Sequence, residues 1–226
     1  MDKLLIAPST DPAKTVEDII EFVDEIKNDA DLLHCDIMDG KFVESKTFSY
    51  DVLKIIKEKT LLPLDVHLMI ESPSKFIKKY FQSGANIITV HFEAYKDKKK
   101  LIKDLKKIRK LGALSGLSIK PKTAVEEILT YIVYCDIILI MSVEPGKSGQ
   151  KFIEQTYSKV IELNKIKKDF NIKLKIEIDG GINPSVSKKL KEFGADILVS
   201  GSYVYNSKNR LLAINDLRWT FNLLIA

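Results

Sequence analysis

Apolar residues come in short extended runs along this chain, and between those runs they recur at helical spacing. An extended run over residues 4–8 precedes a helical one over 15–27, in which Val16, Ile19, Ile20, Val23 and Ile26 fall on one face. Extended 32–38 precedes helical 49–59, and extended 63–70 leads through Ser72-Pro73, a helix-start signal, into helical 75–82. Strands over 86–91, 113–119 and 136–143 precede helices over 98–111, 124–131 and 155–168. A strand over 173–179 runs through Asn183-Pro184-Ser185 into a helix reaching Phe193, and a strand over 197–200 precedes a last helix over about 208–224. Eight such units predict an α/β fold, a (β/α)8 TIM barrel of parallel strands ringed by helices. No linker or low-complexity stretch interrupts the series, so one domain over 1–226 is expected. An open doubly wound sheet is the alternative. Polar residues recurring on one face of several strands favour a barrel mouth instead, and an early dinucleotide-binding glycine fingerprint is missing.

Two of the strands carry metal-ligand side chains on one face. Side chains alternate along a strand, so His34, Asp36 and Met38 share a face, as do Asp65, His67 and Met69. Cys35, Ile37, Val66, Leu68 and Ile70 point the other way, under the covering helices. In such a barrel the active site lies at the carboxyl ends of the strands. Ser9 is expected to end strand one, with His34, Asp36 and Met38 on strand two and His67 and Met69 on strand three; Met141 ends strand six and Asp179 strand seven. Imidazole and carboxylate suit zinc, iron, manganese or cobalt better than calcium. Alone, each residue has a plainer use, a histidine bonded in the core or an aspartate capping the next helix. Four of them on three strand ends predict a site for one divalent metal ion.

Three glycine-rich loops make a second constellation. Gly146, Lys147, Ser148 and Gly149 follow strand six, Gly180-Gly181 follow strand seven, and Gly201-Ser202 follow strand eight. Glycines let backbone amides approach an anion, and phosphate sites in this fold sit after strands seven and eight. A divalent metal, paired carboxylates and a phosphate grip suggest chemistry on a sugar phosphate. A metal that polarises a ketone acidifies the adjacent carbon–hydrogen bond and stabilises the enediolate. Two carboxylates on opposite sides of that carbon, Asp36 and Asp179, could remove a proton from one face and return it to the other, which is epimerisation.

Composition narrows the partners. The formal charge of +5 is almost all lysine, since Arg109, Arg210 and Arg218 are the only arginines, and the lysine clusters at 96–100, 165–168 and 188–191 fall on helices or their flanks. They read as solvated helix faces; a nucleic-acid surface would interleave arginine with aromatics. No apolar run approaches the roughly 18–20 residues of a membrane span, and the first residues do not read as a signal peptide. Cys35 and Cys135 each sit in a strand and read as buried reduced thiols of a cytoplasmic protein. The sequence leaves a homo-oligomer open.

The stretches at 6–9, 34–43, 64–69, 141–152 in part, 177–182, 194–195 and 201–202 resemble the ribulose-phosphate 3-epimerase family over nearly the whole chain. The most specific are His34-Cys35-Asp36-Ile37-Met38-Asp39-Gly40 and Asp65-Val66-His67-Leu68-Met69. The resemblance implies a ribulose-phosphate-binding barrel with one divalent metal ion on His34, Asp36, His67 and Asp179. It implies Asp36 and Asp179 as acid and base at carbon 3, Ser9 as a substrate hydroxyl contact, and Met38, Met69 and Met141 as a soft wall behind the enediolate. His67 would also touch the substrate, and phosphate would lie on Gly146 to Gly149, Gly180-Gly181 and Gly201-Ser202. The partner implied is a phosphorylated ketose, D-ribulose 5-phosphate converted to D-xylulose 5-phosphate, with no nucleic acid and no membrane.

Several positions depart from the family pattern: Thr10-Asp11-Pro12-Ala13, Glu44-Ser45, Lys120 before Pro121, and Lys147-Ser148. Lys120 and Lys147 either add charge near the phosphate or face water. These departures bear on which ketose is used, so an epimerase for another ketose phosphate such as D-allulose 6-phosphate is the nearest rival. A decarboxylase on the same barrel would want a lysine between strand-two aspartates, where Met38 stands. A non-catalytic sugar-phosphate-binding barrel would not need two opposed carboxylates. His91 and Glu93, ending strand four, either add a hydrogen bond to the site or only satisfy backbone at the barrel mouth.

Overall fold

The computed structural model describes residues 3–218. Runs of Ile, Leu and Val buried on both sides form eight parallel strands: β1 (Leu5–Pro8), β2 (Leu33–Met38), β3 (Leu64–Met69), β4 (Ala85–His91), β5 (Leu114–Ile119), β6 (Ile137–Met141), β7 (Lys175–Asp179) and β8 (Ile197–Ser200). Each neighbour pairs with the next from β2 round to β8, and β8 pairs with β1. The ring closes between β1 and β2 through a single parallel bridge, Ser9 to His34. The result is the TIM barrel expected from the strand–helix period.

Helices α1 (Val16–Ile26), α2 (Tyr50–Lys59), α3 (Ile77–Gln82), α4 (Lys98–Leu111), α5 (Thr156–Asp169), α6 (Pro184–Phe193), α7 (Ser202–Tyr205) and α8 (Arg210–Arg218) cover it. Their ends follow the local chemistry. The Thr15 hydroxyl accepts from the Asp18 N–H while Asp18 accepts from the Thr15 N–H, a capping box at the start of α1. Asn183 Oδ1 accepts from the N–H groups of Ser185 and Val186 ahead of Pro184, which starts α6.

Three elements differ from the sequence expectation. The segment after β5 is a 3-10 helix over Val125–Tyr134, not an α-helix; its many β-branched residues (Val125, Ile128, Thr130, Ile132, Val133) weaken α-helical preference. The helix after β3 is broken into a 3-10 turn, Pro73–Lys75, followed by α3. A four-residue helix, α7, follows β8, too short to show a hydrophobic period. The last helix is α8, and the expected part of it beyond residue 218 lies outside the described residues.

The strand faces sort as the alternation requires. Cys35, Ile37, Val66, Leu68 and Ile70 join the main apolar cluster between strands and helices. Inside the barrel, Ala7, Leu32, Ile87, Ile137, Ile197 and Val199 form a separate apolar plug. Above that plug the inward face turns polar. Among the described residues no helix is long and apolar enough to cross a membrane.

Asp31 holds the seam between β1 and β2 where strand pairing is sparse. Its carboxylate accepts from the Ile6 N–H at 3.0 Å, from Lys3 Nζ at 2.6 Å and from Arg218 Nη2 at 2.6 Å. Burial raises its pKa, but these donors outweigh burial and hold the carboxyl below its ordinary value. A depressed folded pKa stabilises the fold above the unfolded value, about 4, and that contribution fades as pH falls through the folded one. Asp31→Asn should therefore cost about 1–2 kcal/mol at pH 7, with the gap narrowing below pH 4 in urea denaturation. A pH-independent gap would contradict this account.

Candidate active site

Asp36 is the meeting point of three strands. Its Oδ2 accepts from the Ser9 hydroxyl at 2.7 Å, and its Oδ1 lies 3.0 Å from His67 Nδ1 and 3.3 Å from His34 Nε2. Asp179, at the end of β7, reaches the same point, with Oδ2 4.0 Å from His67 Nδ1. One ligand atom from each of His34, Asp36, His67 and Asp179 lies within 4.8 Å of all the others.

The barrel stacks these groups in layers. His34 is the second residue of β2 and stands low in the barrel, beneath the rim position expected for it. It reaches the site because its Nδ1–H donates downward to Asp65 Oδ2 at 2.6 Å, which leaves Nε2 pointing up at Asp36. That Nε2 is buried and makes no hydrogen bond. Glu177 Oε1 lies 3.6 Å from the same Nδ1, and burial together with the Asp65 charge pushes the Glu177 carboxyl well above its usual range. Asp65 and Glu177 carried no expected site role. They lie two positions before His67 and Asp179, so strand alternation alone points them inward beneath those two side chains.

Electrostatics divides the two rim carboxylates. Burial works to raise Asp36, but His34 and His67 outweigh it and hold its pKa below the ordinary value. Burial and the charge of Asp36 push Asp179 up to about 8. The two rim carboxyls thus sit in different electrostatic environments although they share one cleft floor.

Above the four groups opens a narrow cleft. Ser9, Asp36 and Asp179 line its floor, and Met38, Met69 and Met141, almost fully buried, form its wall. Gly146, Lys147, Ser148 and Gly149 line it as well, as do Gly180-Gly181 and Gly201-Ser202. His34 and His67 are fully buried below it. Gly180 has φ +120°, and a Cβ there would collide with the Val143 side chain, so only glycine lets the strand-seven loop pass so close to the strand-six loop. Asp11 also lines the cleft, and burial, together with the charge of Asp36, raises it to about 6. As a departure from the family pattern it had no expected role.

The two lysines part company. Lys147 lines the cleft, whereas Lys120 sets its ammonium 4.3 Å from the centre of the Phe42 ring. His91, the other open question of strand four, points its Nε2 at His67 Nε2, 2.8 Å away.

An orphaned buried nitrogen, a second imidazole and two carboxylate oxygens in one small space form a donor set that fits a divalent cation. A closed parallel barrel with such a centre under its loops defines a TIM-barrel enzyme. The model of the ribulose-phosphate 3-epimerase family matches residues 5–205. A ribulose-phosphate 3-epimerase of Aquifex aeolicus is 40% identical over 184 residues, covering 81% of this chain and 82% of its own. One from Mycobacterium bovis is 38% identical over 216 residues, 95% of this chain and 91% of its own. The chain belongs to the ribulose-phosphate 3-epimerase family and is an epimerase. A solved 3-hexulose-6-phosphate synthase from Salmonella typhimurium superposes with a TM-score of 0.70 at 16% identity, covering 95% of this chain and 97% of that one, a likeness of fold alone.

The donor set has a direct test. After treatment with a strong chelator, added zinc should raise the thermal midpoint by an amount equivalent to about 2.7 kcal/mol at a hundred times its dissociation constant. His34→Ala should abolish the rise; an equal rise in that variant would place the zinc elsewhere.

Proposed function

We propose that this chain inverts carbon 3 of a ketose phosphate, converting D-ribulose 5-phosphate to D-xylulose 5-phosphate, with Asp36 and Asp179 as the two proton-transferring groups. The observation that carries this reading is the pair itself: two carboxyls from strands two and seven converge at the floor of one cleft, their electrostatics set apart. One removes the proton from carbon 3 on its face and the other delivers a proton on the opposite face; the reverse reaction exchanges the roles. The Ser9 hydroxyl, bonded to Asp36, fixes that carboxylate's orientation and stands next to the substrate's hydroxyls. Met38, Met69 and Met141 keep water from the planar intermediate while presenting polarisable sulfur to it.

His34, Asp36, His67 and Asp179 would hold one divalent cation, zinc, iron, manganese or cobalt, and His67 would also border the substrate. When bound, such a cation supplies Lewis-acid polarisation of the ketone and offsets the negative charge that develops on its oxygens. The backbone of Gly146 to Gly149, Gly180-Gly181 and Gly201-Ser202 would take the phosphate, with Lys147 adding charge at the open side. The whole of residues 1–226 then acts as one catalytic domain. Cys35 and Cys135, both free and buried, agree with a cytoplasmic enzyme.

Incubation with D-ribulose 5-phosphate in deuterated water, followed at carbon 3 by proton NMR, should show exchange and D-xylulose 5-phosphate. Asp36→Asn and Asp179→Asn should each lower the rate by about 10²–10⁴-fold. If exchange appears only with D-allulose 6-phosphate, the substrate changes and the mechanism stands. Exchange with neither ketose would sink the epimerase reading of this site.

A further inference from the structure

His67 offers two ring nitrogens to two different neighbours. Nδ1 faces Asp36 Oδ1 at 3.0 Å and Asp179 Oδ2 at 4.0 Å, while Nε2 faces His91 Nε2 at 2.8 Å. Two imidazole nitrogens that close share one proton, so one donates and the other must present a lone pair. The outer end of this series of contacts decides which. His91 Nδ1 lies 3.1 Å from Glu93 Oε2. The other oxygen, Oε1, accepts from the Lys120 N–H at 2.7 Å and the Thr123 hydroxyl at 2.5 Å. A carboxylate so held accepts only, and His91 Nδ1 must therefore carry the hydrogen. Neutral His91 then has its lone pair on Nε2, His67 donates from Nε2, and the lone pair of His67 sits on Nδ1. A lone pair 3.0 Å from a carboxylate oxygen is repulsive, and a cation bound by both relieves it.

The outer end of this relay is anchored too. Lys159 Nζ, from α5, donates to the carbonyls of Lys120, Pro121 and Thr123 at 3.3, 2.7 and 2.5 Å, pinning the segment that grips Glu93.

We infer that His91 and Glu93 are positioning residues that lock His67 in the tautomer with Nδ1 free for a metal, and so set the metal affinity of the site. The inference rests on the metal reading proposed above, and goes beyond it by assigning how one ligand is made ready. It accounts for a fully buried histidine and a carboxylate that the epimerisation chemistry does not otherwise use.

Glu93→Gln separates this role from simple packing. The amide it introduces must still accept from Lys120 and Thr123 with its oxygen, which turns its NH₂ toward His91 Nδ1 and inverts the relay. His67 Nδ1 is then protonated and unfit to ligate. His91→Leu removes the relay, whereas His91→Gln rebuilds it, since its amide oxygen can accept from His67 and its NH₂ can donate to Glu93. Zinc dissociation constants from competition with a chromophoric chelator should rise about 10–100-fold in Glu93→Gln and His91→Leu, and stay near the parent's in His91→Gln. Nitrogen-15 shifts of His67 should show protonated Nε2 in the parent and protonated Nδ1 in Glu93→Gln. Folded variants with lowered thermal midpoints but parental zinc affinity would overturn the inference and leave a packing role. A parent that binds no zinc would overturn the metal reading, and this inference with it.

Discussion

A buried carboxylate needs partners, and Asp36 meets a hydroxyl donor and two imidazole nitrogens from three strands at once. Ser9 comes from the end of β1, His34 from β2 and His67 from β3. Leaving such a charge unpaired in a barrel interior costs several kcal/mol, so its partners have little freedom to drift. The same place is where the barrel closes, through the bridge between Ser9 and His34. The seam of the fold and the hub of the site are thus one feature, and a shift in strand register would undo both.

Below Asp36 the structure orients the two inward histidines. Asp65, next to Glu177, bonds the lower nitrogen of His34 and leaves its upper nitrogen facing Asp36 without a hydrogen bond. His91 and Glu93 stand to His67 much as Asp65 stands to His34. Each of these two histidines therefore has a carboxylate behind it, one in direct contact and one through a second imidazole. Above Asp36 three buried methionines and the glycine-rich loops line the cleft. Burial among these apolar walls, with Asp36 alongside, raises the Asp179 pKa, whereas His34 and His67 lower that of Asp36.

The barrel by itself says little about the reaction. A synthase of different name shares it at 16% identity, and the family assignment comes from sequence likeness near 40%. Activity in such folds resides in the inward side chains near the strand ends, which change while the hydrophobic frame persists.

Much of this was readable in the chain. Period-two alternation put His34, Asp36 and Met38 on the inner face and Cys35 and Ile37 on the outer one, because a side chain's direction along a strand is a local property. Capping pairs such as Thr15 with Asp18 and starts such as Asn183-Pro184 marked helix ends for the same reason. Local chemistry did not reveal that Val125–Tyr134 would wind as a 3-10 helix, that Lys120 would lie over Phe42 while Lys147 lined the cleft, or that Asp11 would enter it. Nor could it choose between the two uses of His91. Those outcomes depend on which side chains meet across the barrel, and that is set by closure of the ring and the paths of its loops. The sequence determined which residues face inward; the tertiary structure decided which of them touch, because contact across a barrel joins positions that no local period relates.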